Sequence, residues 1–234
     1  MAQSYVAYLY THCPPNMGLA CPDKPALDAF HESVQKQWIT WHAFPANSEP
    51  ELGSAELVRD SVRNTHLLDD EMGVRRKRVV SVRDVPGMAR PNLAALQAEG
   101  VEAISFGVNG GSTAPNVARA FVWRDRESNV SLPATLHPHG YGGTGFWDAV
   151  ILPSEKVAMV PAWLGDNQGP PTYDNLSWWF LVAQLNFPNA TVRGATFDDF
   201  LPHLQAAADK GLLPVVEQEI GDTWIFGMPS DPKR

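Results

Sequence analysis

Two periods of apolar residues alternate along this chain. Ala26, Phe30 and Val34 stand four apart behind Asp23, a good helix-capping residue, and predict a helix to about residue 37. Ser54 likewise precedes "AELVRDSVRNTHLLDDEM", a long helical pattern that stops at Gly73. Between the two, "WITWHAF" reads as a strand. The β-branched run Val79-Val80-Ser81-Val82 predicts a buried strand over 78–83. A helix from about Pro91 to Gly100 and the strand "VEAISFGV" follow. "AFVWR" and "VSLPATLH" read as a hairpin. "VAMVPAW", "ATVRGAT" and "PVVEQEI" read as strands, with the helices "YDNLSWWFLVAQLNF" and "FDDFLPHLQAAADKG" among them.

Strands alternating with helices predict an α/β fold with a mainly parallel sheet. Crossover connections give successive strands one direction, so their C-terminal ends share a rim, where ligands bind in such folds. Asp84 follows the strand at 78–83, Asp166 follows "VAMVPAWLG", and Asp222 follows "PVVEQEIG" with Glu219 just before it. Three carboxylates from distant parts of the chain would meet there. Paired carboxylates cleave glycosidic bonds, and carboxylates are also hard ligands for divalent cations. Each acid is equally a common turn-former or helix cap after a strand.

In "LHPHGYGG", His137 and His139 are two apart and would share a face of an extended backbone. That spacing suits metal ligation, and a substrate-contacting loop through His139 and Tyr141 is the alternative. "GVNGGS" lacks the spacing of a dinucleotide fingerprint or a P-loop, and no G-x-S-x-G is present.

The 234 residues suit a single α/β domain over 1–234, with residues 1–20 expected to be loosely ordered. A net charge of −8 argues against nucleic acid and anionic membranes as partners, and Arg75-Arg76-Lys77-Arg78 reads as a solvated helix-to-strand turn. No run is long and apolar enough to span a bilayer, and the N-terminal residues lack a signal-peptide pattern. Cys13 and Cys21 either pair or stay free thiols. Eight tryptophans offer faces for sugar rings, although packing is their commoner use. Oligomeric state is not readable.

The segments "ITWHAFP", "RDVPGMAR", "FGVNGGSTAPNV", "FVWRD", "HPHGYGG", "GDNQGPP" and "EIGDTWIFG" occur in the order seen in an uncharacterised branch of α-mannosidase-like proteins. From about Gly18 onward the chain resembles the N-terminal catalytic domain of glycoside hydrolase family 38, the class II α-mannosidases. The resemblance implies part of a seven-stranded (β/α) barrel and a retaining, zinc-dependent glycosidase acting on carbohydrate. It implies Asp84 as nucleophile and zinc ligand, Asp166 as the acid/base residue, and Asp222 as a further zinc ligand. Trp41, His42, His139, Tyr141, Asn167 and Trp224 become substrate-binding candidates, with Trp163 a further rim aromatic.

The departures from the family pattern are specific. Met88 replaces a His, Asn167 replaces the second acid of a G-D-D segment, and only Asp222 matches a terminal H-H-D segment. The H-x-D strand that opens the family's domain has no counterpart. A carbohydrate-binding remnant without the metal is therefore the alternative, and a lost strand predicts an unprotected sheet edge.

Overall fold

The computed structural model describes residues 3–85, 87–139, 146–153, 156–162, 164 and 168–221. Among the described residues five strands form the central sheet: β1 (Val79–Asp84), β2 (Ala103–Val108), β3 (Ala120–Asp125), β4 (Val130–His137) and β7 (Val215–Val216). Their order is β1-β2-β4-β3-β7. The pairs β1–β2, β2–β4 and β3–β7 are parallel and β3–β4 is an antiparallel hairpin. The sheet is thus mainly parallel in a mixed α/β fold, with β3 and β7 running against the other three strands. A separate antiparallel ribbon joins β5 (Val150–Ile151) to β6 (Ala158–Met159).

Among the described residues six α-helices accompany the strands: α1 (Ser4–His12), α2 (Lys24–Gln35), α3 (Ala55–Glu71), α4 (Asn92–Ala98), α5 (Tyr173–Asn186) and α6 (Phe197–Asp209). Their starts follow from local chemistry. The Asp23 carboxylate accepts from the Ala26 amide at 2.9 Å, and the Ser54 hydroxyl accepts from the Leu57 amide at 3.2 Å. Thr196 and Asp199 form a reciprocal capping box at α6. α3 and its C-terminal turn end where Gly73 adopts a φ of 63°, a conformation glycine reaches without steric cost.

Strand alternation divides the core. Val80, Val82, Ile104, Phe106, Ala134 and Leu136 face α3 and α4, where Val58, Val62, Leu93 and Leu96 meet them. The opposite face carries Val79, Ala103 and Ala120 against Phe200, Leu201 and Leu204 of α6. Trp41, Ala7, Val34 and Leu68 form a third cluster that anchors α1 and α2 to α3. Cys13 and Cys21 form a disulfide, Cα atoms 5.6 Å apart, between α1 and α2.

Several expected strands are shorter or absent. "VAMVPAW" contributes only β6, outside the main sheet, and "PVVEQEI" contributes only β7. "ATVRGAT" is an irregular connection between α5 and α6. "WITWHAF" lies along β1 without forming a strand, because a side chain replaces its backbone as the hydrogen-bond acceptor. The Ala43 amide donates to the Val79 carbonyl at 2.9 Å, but the next outward amide of β1, Ser81, donates to Nδ1 of His42 at 3.3 Å. The Arg83 amide donates to Oδ1 of Asn47 at 3.0 Å, and the Val79 amide to Oδ1 of Asp198 at 3.1 Å. The outer edge of β1 is therefore covered, amide by amide.

α5 is unlike the other helices. It has a capping box between Thr172 and Asn175 but no buried residue. Tyr173, Trp178 and Leu185 are 82%, 61% and 69% exposed. Among the described residues no helix is long and apolar enough to cross a membrane. Exposed apolar patches of this kind promote association. The double replacement Trp178→Glu, Leu181→Glu is expected to raise solubility and lower binding of a hydrophobic dye, with the thermal midpoint moving by no more than about 2 °C, since such surface changes cost little.

Candidate functional site

β1 ends in a tight turn. The Val85 amide donates to the Arg83 carbonyl at 3.0 Å, and Asp84, between them, has a φ of 75°. This matches the rarer, strained form of γ-turn, which costs free energy for any residue with a Cβ. Asp84 is half-buried, and its Oδ1 accepts from Nδ2 of Asn109 at 2.6 Å. Oδ1 of Asn109 in turn accepts from the Gly111 amide at 2.7 Å, so both ends of that amide are fixed. Asn109 directly follows β2, the neighbour of β1, and the pair sits on the C-terminal rim of the parallel strands.

The same rim ends β4. Gly107 pairs with His137 and Asp84 with Val108, which puts His139 one residue beyond the level of Asp84 and two strands across. Two strand spacings separate backbones by about 10 Å. His139 is 61% exposed at its side chain, whereas Asp148 is fully buried. Asp148 accepts from Nδ1 of His139 at 2.8 Å, from the His139 amide at 2.9 Å and from Arg119 at 3.2 Å.

Beneath the rim, on the α6 face, lies a buried polar network. Arg83 donates to the Ser105 carbonyl at 2.7 Å, to the Ser105 hydroxyl at 2.8 Å and to the Val82 carbonyl at 3.0 Å. Its guanidinium stands 5.2 Å from the centre of the Phe197 ring. Burial draws it down to about 9, and the Asp148 charge opposes that shift, so it stays charged at neutral pH. The Ser105 hydroxyl accepts from Thr135 at 2.9 Å and lies 3.4 Å from Nε2 of His137. Nδ1 of His137 is 3.0 Å from the Asp148 carbonyl. His137 is thus neutral, donating through Nδ1 to that carbonyl and accepting at Nε2.

Of the residues singled out in the sequence, Asp84 and His139 stand on this rim. Trp41 does not: it is 2% exposed, donates from Nε1 to Asp69 at 2.8 Å and lies under the Lys77 ammonium. His42 is 7% exposed, and its Nδ1 is taken by the Phe44 and Ser81 amides. Neither ring is offered to a ligand. His137 and His139 do not form a metal pair, since one is buried and each ring turns Nδ1 to Asp148. Asp166, Asn167, Tyr141, Trp163, Asp222 and Trp224 lie outside the described residues. β7 runs against β1, so a common strand direction does not gather the acids.

A different device brings the last described residues to Asp84. The Met88 amide donates to the Ile220 carbonyl at 2.6 Å, and a Cβ on Gly87 would sit 1.6 Å from that oxygen. Only glycine permits this crossing. Glu219 is held by Arg90, with Nε to Oε1 at 3.0 Å. Asn109, Asp148 and Arg119 were not picked out in the sequence. "GVNGGS" directly after a strand was the available signal for the first, and nothing in the pattern pointed to the other two.

Among the described residues, no three His, Cys, Asp or Glu side chains converge as metal ligands. Asp84 meets the amide of Asn109, whose N–H donates and does not ligate. The described set therefore does not fit zinc.

No family model matches the sequence, and no curated protein matches it. Solved structures do. An α-mannosidase from Enterococcus faecalis V583 superposes over 84% of this chain with a TM-score of 0.61 and 18% identity. A glycosyl hydrolase family 38 protein from Enterococcus faecalis covers 93% of the chain with a TM-score of 0.55 and 16% identity. The chain spans 24% and 23% of those proteins. It shares its fold with part of family 38 glycoside hydrolases, and at these identities the likeness is one of fold.

Two measurements probe the site. Burial and the Arg83 charge lower both His42 and His137 from 6.5 to about 3. In the unfolded chain each binds a proton below about pH 6.5, and in the folded chain neither does until about pH 3. Stability is therefore complete above pH 6.5 and falls toward pH 3, with each ring contributing up to about 1.4 kcal/mol per pH unit. Urea midpoints across that range check the slope, and His42→Ala should flatten it while lowering stability at pH 7. Asp84→Val should be less stable than Asp84→Gly by about 1–2 kcal/mol in urea unfolding, because of its backbone conformation.

Proposed function

We propose that this chain carries a glycosidase-type site on the C-terminal rim of β1, β2 and β4, with a carbohydrate as its ligand. The observation that carries the reading is Asp84: a carboxylate held in a strained turn at a strand end and oriented by Asn109. Strain of this kind, kept where glycine would relieve it, is characteristic of functional positions. The fold shared with family 38 glycoside hydrolases supports the same reading, and α-mannosides are the substrates it favours.

In this reading the Asp84 carboxylate attacks the anomeric carbon, which makes the reaction a retaining one. Asp166, through its match to the family's acid segment, is one candidate for the proton donor, with Tyr141, Asn167 and Trp224 as sugar contacts. Arg83 and His137, neighbours of the rim in register, hold the strand ends rigid from below. No step is assigned to zinc. The ligand pair Asp84 and Asp222 is tested by elemental analysis: stoichiometric zinc in the wild type, lost in Asp84→Ala, supports it, and zinc-free wild type after zinc is supplied rejects it.

The function itself is tested with 4-nitrophenyl α-D-mannoside. The wild-type chain is expected to hydrolyse it with retention at the anomeric carbon, followed by proton NMR of the first product. Asp84→Ala should lower the rate at least about a thousandfold, the scale of losing a nucleophile. An unchanged rate in that variant removes Asp84 from the mechanism.

A further inference from the structure

We infer that His139 and Asp148 form a proton-transfer dyad on the rim, with Nε2 of His139 as the atom that exchanges the proton. The inference rests on the glycosidase reading for its substrate, but its geometry stands independently. Asp148 has no exposed surface, and it binds His139 twice, through the backbone amide at 2.9 Å and Nδ1 at 2.8 Å. Two bonds from one carboxylate to one residue fix both the position of the chain and the rotation of the ring. A carboxylate acceptor at Nδ1 places the neutral ring's proton there and leaves Nε2 as the basic nitrogen. That nitrogen belongs to a ring 61% exposed, on the rim that carries Asp84.

The buried carboxylate fixes the tautomer and the rotation of the ring, as an orienting acid does in hydrolases with a histidine base. Asp148 is itself anchored by Arg119 at 3.2 Å, and its carbonyl accepts from His137. The dyad is thereby continuous with the buried network that ends in Arg83, directly before Asp84 in the chain.

The chemistry balances over two steps. As Asp84 bonds to the anomeric carbon, the glycosidic C–O bond breaks and the proton on Nε2 of the imidazolium passes to the leaving oxygen. Water then bonds to the anomeric carbon, its proton goes to Nε2, and the bond to Asp84 breaks. His139 ends as it began. This role would otherwise fall to Asp166. His139 is the group that touches substrate in the proposal, and Asp148 is a positioning residue.

The test compares two glycosides whose leaving groups differ in their need for a proton. On methyl α-D-mannoside, His139→Gln should lose about 10²- to 10³-fold, within the usual contribution of general acid catalysis. On 2,4-dinitrophenyl α-D-mannoside, whose leaving group departs without a proton, the loss in the bond-breaking step should be under about tenfold. His139→Gln is chosen because the exposed ring can be replaced without opening the core. Asp148→Asn should show the same pattern at smaller amplitude.

Equal losses on both substrates overturn the dyad while leaving the glycosidase reading intact. So does the same leaving-group pattern in Asp166→Asn with none in His139→Gln. A wild-type chain that hydrolyses neither glycoside overturns the glycosidase reading and the transfer role together. Long-range nitrogen–proton NMR of the ring needs no substrate: the Nδ1–H form in the wild type, lost in Asp148→Ala, supports the orientation. An Nε2–H form in the wild type rejects it.

Discussion

The outer edge of β1 presents three amide N–H groups, at Val79, Ser81 and Arg83, and each ends on a side chain: Asp198, His42 and Asn47. An uncapped buried amide costs about 1–3 kcal/mol, and a row of them invites pairing with another chain. Because side chains rather than a strand do the capping, β1 sits at the end of the sheet order and still has these outward amides met. The helix start at Asp198, the segment around His42 and the turn at Asn47 are all positioned by this need. Asp198 shows the cost of the arrangement, since burial raises its carboxyl above the usual range.

The alternation of β1 then sorts its last two residues. Arg83 turns into the α6 face and joins Ser105, Thr135 and His137, while Asp84 closes the turn on the rim. One residue anchors the strand from within, and its neighbour stands at the strand end. β4 repeats the scheme, with His137 buried and His139 exposed beyond it. Asp84 is held by the half-buried Asn109 and His139 by the fully buried Asp148, so hydrogen bonds rather than a packed apolar wall fix this rim.

Much of this was legible in the pattern of residues. The long helices and the strands at β1 to β4 follow from period and capping, and Asp84 at the end of β1 could be named from position alone. The short strands β6 and β7 were over-read, because apolar runs such as "VAMVPAW" have the composition of a strand whether or not a neighbour is there to pair with. α1 was missed because its tyrosines and short length give a weak period. Trp41 and His42 looked like ligand residues, and their burial depends on Asp69 and Ser81, contacts that no local pattern encodes. Asp148 lay hidden for the same reason: a single acid in "FWDAV" gains its meaning from Arg119 and His139.

The order of synthesis separates the caps of β1. His42 and Asn47 precede the strand and are present when it emerges, but Asp198 follows Val79 by 119 residues. At about 5–20 residues per second, a ribosome needs roughly 6–24 s to supply it. Ile220 and Glu219, which lock the turn after Asp84, come later still. Throughout that interval the nascent strand depends on the earlier two caps alone, so the edge at Ser81 and Arg83 is guarded by residues already made, while the amide of Val79, at the start of the strand, waits for Asp198.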